Sequence, residues 1–122
     1  MVELIFALIA SVQLNTFELQ KAHATAYCLN GITASGEMTQ EGICAAKSDW
    51  LGSDIAIYKR LPQDKVGDLI GIYRVSDTGK TDGLRNGTVV DIWRPDLDSC
   101  QEFMNLVYED NCHGKVYIIF LN

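Results

Sequence analysis

Two aspartates sit where a carboxyl group can do more than hold water. Asp91 is embedded in Val89-Val90-Asp91-Ile92-Trp93, among β-branched and aromatic neighbours. A charge in such company is costly unless it is paired or protonated. Either Asp91 points to solvent from one side of a sheet wall, or it is a carboxyl group with a raised pKa. In the second case it can serve as a general acid near neutral pH. Strict alternation places Val89, Asp91 and Trp93 on one face and Val90 and Ile92 on the other. Asp77 lies in Val75-Ser76-Asp77-Thr78-Gly79, at the end of an expected strand.

Other constellations carry less chemistry. Gly79-Lys80-Thr81 has the ending of a phosphate-binding loop, but the glycine that must open that motif is Arg74 here. Asn86-Gly87-Thr88 spells a glycosylation sequon and reads better as a turn. His23 and His113 stand apart, and no Ser or Cys has a recognisable nucleophile setting. The four cysteines, Cys28, Cys44, Cys100 and Cys112, show no C-x-x-C spacing, so neither a metal site nor a cofactor is expected. Their even number permits two disulfides in an exported protein, or buried free thiols packed as small hydrophobes. Cys28 closes one expected strand and Cys44 sits in the next, which makes these two the disulfide candidates.

These residues need a scaffold, and the pattern supplies a series of short strands parted by turns. Phe17 to Cys28 alternates loosely, and Ile43 to Ala46 is a small apolar run after a turn-rich stretch. Asp54 to Lys59, Leu69 to Val75 and Thr88 to Trp93 read as period-two strands, and Lys115 to Leu121 closes the chain as an apolar one. One helix is expected where Ser99-x-x-Glu102 has capping-box spacing, with Cys100, Phe103, Leu106 and Val107 following at helical intervals. Asn111 and Gly114 suit its exit. Six strands and one short helix indicate a mainly β protein closed, or nearly closed, into a small barrel, since closure removes bare strand edges.

With 122 residues, the chain has room for one domain with one core. Its apolar fraction of 48% against 21% charged residues excludes disorder. A formal charge of −6, with basic residues scattered, argues against nucleic-acid binding. The apolar run Leu4–Val12 is too short to span a bilayer and lacks the preceding positive charge of a signal peptide. Residues 1–16 therefore read as an apolar arm or extra element that can mediate self-association, and 17–122 as the barrel domain. No transmembrane span is expected.

Several short motifs then occur in order: Thr25-Ala26-Tyr27, Thr33-Ala34-Ser35-Gly36, Gly42-Ile43-Cys44-Ala45-Ala46, Leu51-Gly52, Asp77-Thr78-Gly79 and Val90-Asp91-Ile92-Trp93. Together they resemble the three-aspartate (3D) domain of membrane-bound lytic transglycosylase A and of stationary-phase muralytic proteins, from about Ala22 to Phe120. The resemblance implies a six-stranded double-psi β-barrel. It also implies cleavage of the MurNAc–GlcNAc bond of peptidoglycan, leaving a 1,6-anhydro sugar, by a protein that is extracellular, attached to the bacterial cell wall, or part of a phage virion.

In that family a single carboxylic acid protonates the leaving oxygen, and its position matches Asp91. The Asp-Thr-Gly aspartate matches Asp77, which would keep Asp91 protonated by like-charge proximity. Tyr27 and Trp93 would offer flat faces to sugar rings, and the Thr33–Gly36 turn would border the groove. The third family aspartate should follow the small-residue strand, yet Lys47 follows Ala45-Ala46 and Asp49 comes two residues later. A lysine there exchanges an acid for a base. A non-catalytic glycan-binding or structural module on the same barrel is the alternative.

Overall fold

The computed structural model describes residues 18–121. The Leu4–Val12 segment, and with it the expected arm, lies outside the described residues. Strands β1 (Gln20–Tyr27), β2 (Ile43–Ala45), β3 (Asp54–Leu61), β4 (Lys65–Asp77), β5 (Val89–Trp93) and β6 (Lys115–Phe120) form a closed barrel in the order β1-β5-β2-β4-β3-β6. The pairs β1–β5 and β2–β4 are parallel, and the remaining neighbours are antiparallel. A short helix, α1 (Asp82–Asn86), precedes β5, and the main helix, α2 (Leu97–Tyr108), links β5 to β6.

Alternation decides what lies inside. Ala22 and Ala24 of β1, Cys44 of β2, Ile55 and Ile57 of β3, Val75 of β4, Val90 and Ile92 of β5, and Val116 and Ile118 of β6 share one buried cluster. Phe103 and Val107 of α2 belong to the same cluster. They lie one turn apart on a single helix face. The β1 positions facing that core are alanines, and their small side chains let α2 pack closely against β1.

Two cations are buried near the far end of the barrel. Lys59 lies 3.0 Å from Glu109 and 3.3 Å from Asp110. Arg60 donates to the carbonyls of Val116 and Ala22 at 3.2 and 3.1 Å, and pairs with Asp64 at 3.3 Å. Such groups survive burial only when their donors are satisfied.

Three elements differ from the sequence expectation. Strand β4 is thirteen residues long, because the β3–β4 pairing continues through Arg60↔Val66 and Leu61↔Lys65 to the tight turn. Helix α1 was not expected. Thr81 caps its start, accepting from the Leu84 amide at 3.4 Å, and Gly87 at φ 84° ends it, so Asn86-Gly87 is a helix exit rather than a hairpin turn. Helix α2 starts before the expected capping box, since Asp96 is its cap and accepts from the Ser99 amide at 2.8 Å.

Candidate functional site

Ala45 is the pivot of the site. Across β5 it pairs with Asp91, and across β4 it pairs with Asp77. One strand further, Thr25 of β1 pairs with Asp91, and Tyr27 pairs with Trp93. Four adjacent strands thus place Thr25 and Tyr27, Asp91, Ala45 and Asp77 side by side. Thr25 and Tyr27, Ala45 and Asp91 occupy the alternate positions to the core residues Ala24, Cys44, Val90 and Ile92. Ala45 itself is buried, so only a methyl group lies between the two acid-bearing strands. A bulge between Cys44 and Ala45 brings Asp77, rather than Ser76, into register.

Asp91 is half-buried, and its Oδ1 accepts from the Thr25 hydroxyl at 2.8 Å. Burial raises its pKa above the ordinary 3.8, against the opposing pull of the Thr25 hydrogen bond. The expectation that Asp77 holds Asp91 protonated is corrected here: the cause is desolvation. The two residues are separated by an intervening strand, which puts their backbones roughly 9–10 Å apart.

Asp77 has a different setting. Its Oδ1 accepts from the Ala34 amide at 3.0 Å and from its neighbour Thr78 at 2.9 Å. Tyr27 reaches towards both acids. Its hydroxyl is buried, and its pKa is raised first by burial, then by the charges of Asp77 and Asp91, with a smaller contribution from a side-chain hydrogen bond to Asp77. Cys44 is fully buried beneath, its thiol pushed up to about 12 by burial and by Asp91. It is inert packing.

The loop from Cys28 to Gly42 borders this wall. Thr33 is buried, with its hydroxyl 2.9 Å from the Glu37 carbonyl and 3.0 Å from the Ser35 hydroxyl. Gly36 turns the chain at φ 96°, a conformation other residues adopt only under strain. Glu37 accepts from Arg74 at 2.8 and 3.0 Å and from the Ser76 hydroxyl at 2.8 Å, and Glu41 pairs with Arg94 at 2.9 Å. The loop is therefore pinned to the barrel while showing Leu29, Ile32 and Met38 to solvent.

Several expected residues lie elsewhere or play other parts. Trp93 is only 7% exposed and its indole N–H donates to the Leu29 carbonyl at 2.9 Å. It braces the loop and has little face left for a sugar ring. Asp49 sits on a single 3-10 turn, 77% exposed, and its ion-pair partner is Lys47 at 3.9 Å. Neither residue joins Asp77 and Asp91. The Cys28–Cys44 pairing is also corrected. All four thiols are free, and β5 lies between β1 and β2, a separation beyond the ~7 Å that a disulfide tolerates.

Thr25, Glu37, Arg74 and Ser76 were not among the residues expected at the site. Thr25 was legible, since it lies two positions before Tyr27 on the same strand face. Among the described residues no cluster of three or more His, Cys, Asp or Glu side chains could hold a metal ion. No helix among them is long and apolar enough to cross a membrane. A separate cavity of about 250 Å³ lies between α2 and β4, lined by Ile70, Tyr73, Arg94, Ser99, Glu102, Phe103 and Leu106, and holds none of the expected site residues. No family model matches the chain, and no curated protein matches it.

Proposed function

We propose that the barrel is a double-psi β-barrel of the three-aspartate type and that it cleaves peptidoglycan glycan strands as a lytic transglycosylase, at the bacterial cell wall, outside the cell or in a phage virion. The observation that carries this reading is Asp91: a half-buried carboxyl group with a raised pKa on a wall beside Tyr27.

With Oδ1 occupied by Thr25, the other oxygen of Asp91 carries the proton. It donates that proton to the glycosidic oxygen as the bond from C1 to the leaving sugar breaks. The carboxylate left behind takes the proton of the C6 hydroxyl as that oxygen closes on C1. The acid is restored and no water is consumed. This needs one tuned carboxyl group rather than the two of a hydrolase.

Asp77 fixes the Ala34 turn and so shapes the groove border. Incubation with purified peptidoglycan, followed by mass spectrometry for anhydro-sugar ends, tests the proposal. Release by the wild type, with a loss of about 10²–10⁴-fold in Asp91→Asn, is the expected result.

A second reading, a non-catalytic glycan-binding or structural module, is favoured by one observation: Asp49 faces solvent beside Lys47 and supplies no third acid. Binding to peptidoglycan without release of anhydro ends would select it.

A further inference from the structure

Two of the four cysteines meet at the rim of the barrel. Cys28 lies one residue past β1, where the Arg94 amide donates to the Tyr27 carbonyl at 2.8 Å and the Trp93 indole donates to the Leu29 carbonyl at 2.9 Å. Cys100 lies in the first turn of α2, with its amide 3.0 Å from the carbonyl of the cap residue Asp96. The short stretch from Arg94 to Asp96 joins these two places. Cys28 is a near neighbour of Cys100 and, after burial, is the next cause holding the Cys100 thiol above its ordinary pKa, and both residues are partly open to solvent. Cys44 and Cys112 are fully buried instead, Cys44 in the barrel core and Cys112 near Lys59, Glu109 and Asp110.

We propose that Cys28 and Cys100 form a disulfide when the protein meets an oxidising environment. Each sulfur gives up its hydrogen and one S–S bond forms. Two protons and two electrons pass to a disulfide-class oxidant, which is reduced to two thiols. The bond ties the first turn of α2 to the end of β1, directly after Tyr27. It closes most of the barrel sequence into one loop, the situation in which a cross-link restricts the unfolded chain most. Nothing in this inference depends on whether Asp91 cleaves glycan.

The test uses the full chain treated with oxidised glutathione, alkylated, and digested with trypsin and a glutamate-specific protease without reduction. Cuts at Glu37 and Glu41 separate Cys28 from Cys44, and cuts at Glu102 and Glu109 separate Cys100 from Cys112. The expected product joins the Cys28 peptide to the Cys100 peptide and falls apart on reduction. Cys28 joined to another cysteine, or both thiols still alkylated after oxidation, overturns the proposal.

Melting provides a second measurement. Reduction should lower the midpoint of the oxidised protein by on the order of 10 °C. Cys28→Ser and Cys100→Ser should each abolish that shift, whereas Cys112→Ser should keep it. A shift that persists in Cys28→Ser also overturns the proposal.

Discussion

Replacing Asp91 by asparagine separates chemistry from folding. The amide oxygen of Asn can accept from the Thr25 hydroxyl as Oδ1 does now at 2.8 Å, so the local packing is retained. What is lost is the transferable proton. General acid–base catalysis contributes about 10²–10⁴-fold, equivalent to roughly 3–5 kcal/mol of barrier. Release of anhydro ends should fall by that factor. Stability should move the other way, with a sign fixed by the raised pKa of Asp91. A carboxyl group whose folded pKa lies above its unfolded value contributes stability that is fully present below the unfolded pKa. That contribution is lost as pH rises through the folded pKa. Asn has no such loss. The variant and the wild type should therefore match at low pH, and the variant should gain as pH rises from the ordinary 3.8 through the raised value. Denaturant unfolding across that window measures it. A variant that cleaves as fast as the wild type refutes the catalytic role. A stability difference that is flat with pH refutes the burial argument.

Asp77→Ala leaves the Ala34 and Thr78 amides without their acceptor, at about 1–3 kcal/mol, and hydrogen exchange at Ala34 should speed up while β3 and β6 stay protected. Ile92→Ala, at a fully buried position, should cost about 2–5 kcal/mol. Trp93→Ala should cost about 3–5 kcal/mol in the same denaturant assay, because the indole is buried and braces Leu29; a change confined to glycan binding would contradict this placement. Arg60→Met strips the Val116 and Ala22 carbonyls of their donor and should lower the unfolding free energy by about 1–3 kcal/mol, with the peptidoglycan assay unaffected at temperatures where the variant is folded.

The strand positions were legible because their alternation survives in the sequence. The faces of β5 followed from it directly, with Val90 and Ile92 in the core and Asp91 on the other side. The meeting of Tyr27 and Asp91 was expected only through the resemblance of their motifs to the three-aspartate domain. Pairing order was not legible. Nothing local in the chain announces that β5 inserts between β1 and β2, and the Cys28–Cys44 pairing failed on that point alone. The extension of β4 hid behind Pro62-Gln63-Asp64, where Gln63 and Asp64 take left-handed conformations that make a turn without the glycine a reader looks for. Helix α1 spans five residues, too few to show a period. Lys47 and Asp49 were expected near the acids only through the resemblance, and a 3-10 turn at Ser48–Trp50 carries Asp49 outward.

The insertion of β5 also bears on how the chain emerges during synthesis. Strands β1, β2, β3 and β4 are all made before the strand that must lie between the first two. Until Trp93 has left the ribosome, β1 has no parallel neighbour and β2 has a bare edge, so the wall carrying Thr25, Asp91 and Asp77 does not yet exist. Pairings this remote in sequence close late and slowly. A nascent chain stopped short of β5 would expose unpaired backbone that invites strand exchange with another copy. The carboxyl wall is thus completed only once β5 has emerged, from strands that have waited for their partner.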